Sequence, residues 1–183
     1  MKEQVDGAGE HGGTHFDAPY HFNKEGWKVP DVPITRLVAK SATIDLRRTE
    51  TKSLASKHLE NWKRQKGVFH TNTFLIIKFG WSKYWNNRNQ YIGIDVNGNI
   101  DFPVKVFPPQ AATWIVNSGN IVGVGLDAAS VDPEDSSEFM TDRILTFGGF
   151  ARKGIQYVVV LSMKLKDGTG TPERGLAVLT NYL

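Results

Sequence analysis

Three histidines and an aspartate fall within eleven residues near the start of the chain. The stretch reads His11-Gly-Gly-Thr-His-Phe-Asp-Ala-Pro-Tyr-His21, and the two other histidines of the sequence lie far from it. Neutral imidazoles and carboxylates together suit borderline divalent metals such as zinc and manganese. These residue types therefore predict a metal site, against the alternative of a polar surface loop that happens to be rich in histidine.

The spacing indicates how these side chains would meet. His11 and His15 are four residues apart, as on one face of a helix, but the glycine pair between them and Pro19 disfavour a helix. We expect a glycine turn that leads into a short extended segment, in which alternate side chains share a face, so that His15 and Asp17 lie together. The turn would let His11 join them, and Pro19 would direct His21 toward the same place.

The same stretch resembles the H-x-G-T-H-x-D-x-P-x-H signature of the cyclase-like metal-dependent hydrolases, a family that includes bacterial-type kynurenine formamidases and isatin hydrolases. Two later segments extend the resemblance. Val122–Asp132 is similar to the family's G-x-D-x-x-S-x-D segment, and Met163–Arg174 is similar to its K-x-x-x-G-T-G-x-P-x-R strand and turn. The resemblance implies an α/β mixed fold of the swivelling β/β/α type, with a central mixed sheet or barrel and few helices.

The resemblance also assigns roles to four residues of the stretch. It implies that His11, His15 and Asp17 bind the metal, zinc or manganese, and that His21 is the catalytic proton donor and acceptor. A divalent ion in an open site lowers the pKa of bound water to about 7. The implied reaction is hydrolysis of a small-molecule amide, as in arylformamidases that convert N-formylkynurenine to kynurenine in tryptophan catabolism.

Later in the chain the sequence departs from the family pattern. Asp142 stands where the family has a further histidine ligand, although a carboxylate also ligates zinc or manganese. The family's glutamate ligand has no counterpart in the segment Thr146–Gly154, which contains no carboxylate. These two departures and a short amino-terminal region keep a second interpretation open, that of a catalytically weak or inactive homologue with a binding or structural role.

The composition restricts other classes of function. The chain of 183 residues has a formal net charge of +3 with interspersed basic and acidic residues, which argues against nucleic-acid binding. It has no cysteine, which excludes disulfides and thiolate metal sites, and no apolar run long enough to span a membrane. We expect a single domain over residues 10–183 behind a disordered or truncated leader of residues 1–9. We also expect a cytoplasmic location, with secretion left open if the amino terminus is truncated, and a homodimer is left open.

Periodicity and turn residues predict the elements that would position the site. The predicted strands are Ser41–Leu46, Thr73–Phe79, Ile121–Leu126, Ile155–Lys166 and Gly175–Leu179, with a hairpin-like turn over Gly168–Pro172. The predicted helices cover Thr51–Lys66 and Pro108–Ser118.

Three side-chain roles outside the histidine-rich stretch also follow from the pattern. Ser53 would cap the first helix, and His58 would be a solvated residue on it. Asp127 would either orient a metal-binding histidine or stabilise a plain turn. The aromatic residues of Gly80–Tyr91 would either wall a substrate pocket or anchor a loop.

Overall fold

A computed structural model describes residues 10–49, 53–101, 107–132, 141, 144–145, 158–162 and 167–177. Three features of the sequence interpretation lie outside these residues: the leader of residues 1–9, Asp142 and the segment 146–154. The division into a leader and a single domain over residues 10–183 stays a prediction.

Within the described residues, six strands form one mixed sheet. They are β1 (His15–Asp17), β2 (Val38–Asp45), β3 (Thr73–Lys78), β4 (Ile121–Leu126), β5 (Val158–Ser162) and β6 (Gly170–Ala177). Their order is β1-β6-β5-β2-β3-β4. The pairs β2–β3 and β3–β4 are parallel, and the other three pairs are antiparallel. The predicted mixed α/β architecture, with a central mixed sheet and few helices, is confirmed.

The core lies beneath the parallel half of the sheet. Leu75 and Ile77 of β3 are fully buried between two parallel neighbours. Phe74 and Ile76 on the other face are only partly buried, so the burial on both faces that the uninterrupted apolar run predicts is met on one face. Two helices cover this face, α1 (Ser56–Lys66) and α3 (Pro109–Asn117), and each contributes fully buried residues to the same cluster. None of the helices in the described ranges combines the length and the apolar character that crossing a bilayer requires.

The start of α1 corrects two predictions. The helix begins at Ser56, and its first turn is capped from within, because Nδ1 of His58 accepts a hydrogen bond from the backbone N–H of Ala55 at 3.0 Å. Ser53 therefore is not the cap. His58 is half-buried rather than a solvated residue, and it closes the end of the helix as a glutamine or glutamate does in a capping box.

The turn predicted over Gly168–Pro172 is also wrong in its second half. Strand β6 begins at Gly170, and the residues Gly170 to Pro172 pair with β1 in antiparallel register. The described pairing with β5 covers Glu173 to Ala177. This early part of β6 pairs with β1 and so holds the histidine-rich stretch at the edge of the sheet.

The segment after β3 decides the two open alternatives about Asp127 and the aromatic residues. Asp127 accepts hydrogen bonds from the N–H groups of Phe79 (2.7 Å) and Ser82 (3.3 Å), so it stabilises the turn that follows β3. The segment predicted as a loop contains a 3-10 turn at Trp81–Tyr84 and the short helix α2 (Arg88–Ile92). Nε1 of Trp81 donates to the Tyr91 carbonyl at 3.0 Å. These contacts favour the anchored interpretation.

Candidate metal centre

The backbone of the histidine-rich stretch folds as its spacing predicts. Gly13 has a φ of +69°, a conformation that glycine adopts without a steric penalty, and the chain turns there. His15 to Asp17 then form β1, and Pro19 opens a single 3-10 turn that ends at His21. The glycine turn therefore returns His11 over the strand that carries His15 and Asp17.

Three of the predicted side chains meet in one place. Nδ1 of His11 lies 2.5 Å from Oδ1 of Asp17, and Nε2 of His15 lies 3.6 Å from the same oxygen. One ligand atom from each residue lies within 4.8 Å of those of the other two. Zinc ligands about 2.0–2.2 Å from the ion lie roughly 3–3.5 Å from one another in a tetrahedral site. The donor types suit a divalent ion, and the three ligand atoms lie close enough together to hold one.

The ring of His15 is held in one orientation. Its Nδ1 lies 2.9 Å from the carbonyl oxygen of Gly13. A carbonyl can only accept, so Nδ1 carries the hydrogen, and Nε2 is the nitrogen that faces Asp17. The glycine turn thus both returns His11 to the site and fixes the tautomer of His15. The carboxylate side chain of Asp17 is 43% exposed, so the centre is open to solvent.

The ring of His11 rests against the start of β6. Its Nε2 lies 3.1 Å from the hydroxyl oxygen of Thr169. The buried carboxylate of Glu10 in turn accepts hydrogen bonds from the backbone N–H (3.0 Å) and the hydroxyl (2.9 Å) of Thr169. A Cβ added at Gly170 would lie 2.8 Å from Nδ1 and 2.9 Å from Nε2 of His11, so only glycine leaves room for the ring.

These three contacts were not predicted from the sequence. Thr169 and Gly170 belong to the segment that matches the family's G-T-G-x-P pattern, which was interpreted as a turn. Glu10 directly precedes the metal motif and carries no signal of its own. The pattern match was the available signal for Thr169 and Gly170, but nothing local indicated that they would contact His11.

Neighbouring groups of the centre shift one another's pKa values. The hydrogen bond to Asp17 raises the pKa of His11, against the opposing effect of burial. Loss of hydration opposes ionisation of Asp17 even though part of its side chain is exposed, but the hydrogen bond from His11 and the nearby imidazoles outweigh it and lower the pKa of that carboxyl. Burial also opposes ionisation of Glu10, yet the hydrogen bonds from Thr169 and Gly170 leave its pKa lowered. The centre therefore favours anionic carboxylates, as a cation site requires.

His21 lies beside the cluster. Its ring centroid is 4.2 Å from that of His11, with the planes tilted by 36°. Burial, followed by the charge of His11, lowers the pKa of His21. Among the described residues, the group with metal-ligand geometry consists of His11, His15 and Asp17 and does not include His21. The position of Asp142 relative to this group lies outside the described residues.

Comparisons with known proteins show which family the chain resembles. A sequence profile described as putative cyclase matches residues 4–133. The isatin hydrolase of Roseibium aggregatum is 24% identical over 93% of this chain and 72% of its own length. A kynurenine formamidase of Bacillus cereus is 27% identical over 91% of this chain and 75% of its own length. These relatives are hydrolases, which supports a hydrolase at the level of the family.

Solved structures share the fold. A crystal structure of an isatin hydrolase bound to the product analogue thioisatinate superposes with a TM-score of 0.76 and 20% identity, covering 92% of this chain and 71% of that one. A potential metal-dependent hydrolase with cyclase activity superposes with a TM-score of 0.64 and 20% identity, covering 90% and 77%.

Proposed function

Because the chain belongs to the putative cyclase family, we propose that it is a metal-dependent amidohydrolase of the arylformamidase type. The proposed substrate is a small aromatic amide such as N-formylkynurenine, and the proposed products are formate and the free amine. The observation that carries this proposal is the meeting of His11, His15 and Asp17, with the ring of His21 beside them.

Metal binding and proton transfer in such a reaction would fall to different residues of the chain. His11, His15 and Asp17 would hold zinc or manganese as three protein ligands, and the exposed side of Asp17 leaves the centre accessible to substrate. When bound, the ion would supply a Lewis acid for the carbonyl and an activated water.

His21 would carry the proton. Its partial burial favours the neutral imidazole, which accepts a proton at its free ring nitrogen. The same nitrogen would then return the proton to the leaving amine, so that the amine departs uncharged. The location of His21 beside the ligands, without being one of them in the group described above, suits this role.

A second candidate is a homologue that binds metal or substrate but turns over slowly or not at all. The observation that favours it is the departure from the family pattern in the later sequence, where Asp142 replaces a histidine and Thr146–Gly154 offers no carboxylate. A small-molecule amide would still be the ligand of such a protein, and a homodimer remains compatible with either candidate.

Reconstitution of the metal-free protein separates the two candidates. The full chain is stripped with a chelator and then supplied with zinc or manganese, and the release of kynurenine from N-formylkynurenine is followed by its absorbance. The amidohydrolase predicts turnover that requires both the protein and the metal. Turnover no faster than that of the free ion, from a protein that has bound its metal, would favour the second candidate.

A further inference from the structure

We propose that Glu10 and Thr169 are a positioning pair that holds the ring of His11 by its Nε2–H so that Nδ1 faces the metal site. The inference rests on the proposed function, because it concerns how one ligand of the proposed metal is held. It assigns a role to two residues that lie outside the histidine-rich stretch and do not themselves reach the metal.

The assignment of hydrogens follows from counting donors. The hydroxyl of Thr169 has one hydrogen, and its oxygen lies 2.9 Å from Oε2 of Glu10 and 3.1 Å from Nε2 of His11. An ionised carboxylate can only accept, so the hydroxyl hydrogen points to Glu10. The hydroxyl oxygen is then an acceptor for His11, and Nε2 must carry the hydrogen. The 2.5 Å contact of Nδ1 with the Asp17 carboxylate likewise requires a hydrogen on Nδ1, which the proposed ion would displace when it binds there.

The surroundings of Glu10 stabilise its ionised form. The residue is 8% exposed, and the same oxygen that accepts the hydroxyl also accepts the backbone N–H of Thr169 at 3.0 Å. Hydrogen bonds from two donors stabilise a carboxylate over a carboxylic acid, which would compete as a donor. The ionised carboxylate of Glu10 therefore determines which group donates in each hydrogen bond of the series from His11 through Thr169 to Glu10.

The backbone anchors this pair to the strand that carries the other ligands. The carbonyl of Thr169 accepts the N–H of Ala18 at 3.0 Å, and the next residue, Gly170, is paired with Asp17. Thr169 is thus held by Ala18, which directly follows β1, and by its own neighbour Gly170, which pairs with Asp17 at the end of β1. Gly170 leaves the space in which the ring of His11 lies.

Partners of this kind orient a ligand without touching the ion. A metal-binding histidine that donates its second N–H is fixed in tautomer and ring orientation, and loss of the partner typically costs roughly 10- to 100-fold in metal affinity. Thr169→Val removes the hydroxyl and keeps the shape of the side chain, whereas Thr169→Ser keeps the hydroxyl. Thr113→Val is the matched control, because the hydroxyl of Thr113 bonds only within the exposed face of helix α3.

The test measures zinc affinity by competition with a chromophoric chelator. We expect Thr169→Val to bind zinc roughly 10- to 100-fold more weakly than wild type, and Thr169→Ser and Thr113→Val to bind it as wild type does. Glu10→Gln provides a second variant if Thr169→Val does not fold, and it should weaken zinc binding in the same direction. Equal zinc affinity of wild type and a folded Thr169→Val or Glu10→Gln protein would overturn the proposal.

A second readout does not depend on metal. In the metal-free protein, ¹⁵N-labelled histidine should show a slowly exchanging Nε2–H of His11, and this signal should disappear in Thr169→Val. If wild type binds no zinc but keeps this signal, the proposed function fails while the pairing of Glu10 and Thr169 stands. If the signal is unchanged in Thr169→Val, the pairing is refuted whether or not zinc binds.

Discussion

Nδ1 of His11 lies 2.5 Å from Oδ1 of Asp17, although the two residues are separated by the glycine turn and most of β1. The contact is a short hydrogen bond between a base and a carboxylate whose charges stabilise each other. Two proposed ligands of the ion are therefore already adjacent before metal binds. Little backbone entropy has to be lost when the ion arrives, so the site is pre-organised.

Gly170→Ala tests whether the space that Gly170 leaves for the ring of His11 matters for metal binding. The added Cβ would lie well inside contact distance of the imidazole ring, so the ring or the strand must shift. We expect zinc affinity to fall by roughly tenfold or more, as for other losses of ligand orientation. Isothermal titration of the metal-free protein measures this.

A control separates this effect from a general loss of stability. Gly98 has a φ of +85° and open space around its Cα, so Gly98→Ala introduces backbone strain away from the site. We expect this variant to unfold at lower denaturant concentration and to bind zinc as wild type does. If Gly170→Ala also binds zinc normally, the steric argument for this glycine is wrong.

His58 gives a prediction about stability and pH. Its neutral Nδ1 accepts the N–H of Ala55, and burial, with a smaller contribution from Lys57, lowers the pKa of His58 in the folded protein. The contact therefore stabilises the fold fully above the unfolded pKa of about 6.5 and is lost as the pH falls through the lower folded pKa. We expect His58→Ala to lose about 1 kcal/mol of unfolding free energy at pH 8, and less at pH 5.

A matched variant isolates the titration of this residue. Glutamine at the third helical position also accepts from the cap N–H but does not titrate. Urea unfolding of His58→Gln should therefore match wild type at pH 8 and lose less stability than wild type on acidification. The same pH dependence in wild type and His58→Gln would show that another group is responsible.

How much of the molecule the sequence predicts depends on whether the signal is local. The turn at Gly13, the strand from His15 and the bend after Pro19 were predicted because each conformation is set by its own residues. The buried strand β3 was predicted for the same reason, from its apolar run.

The features that were missed depend on partners far away in the chain. Glu10 and Thr169 are separated by 159 positions, so no pattern in either segment indicates their contact. The G-T-G-x-P segment has the composition of a turn, yet pairing with β1 extends it into a strand. His58 is the exception, because its partner Ala55 is only three residues away, but its acceptor role is visible only in the geometry of the helix end.

His21→Ala tests the division between proton transfer and metal binding. A general acid–base contributes roughly 10²- to 10⁴-fold to a rate, whereas loss of a ligand removes the ion itself. We expect His21→Ala to keep its metal and to hydrolyse N-formylkynurenine more slowly by about that factor. Loss of metal from His21→Ala would identify His21 as a ligand and would leave the proton carrier to be found elsewhere.

The metal content of the purified, untagged protein tests the central claim most directly. The cluster of His11, His15 and Asp17 predicts close to one zinc or manganese ion per chain by elemental analysis, since the ligands of a second ion correspond to one altered position, Asp142, and one missing glutamate. His15→Ala should remove this ion and leave a folded chain. A folded wild-type protein that retains neither metal after dialysis against both would contradict the account.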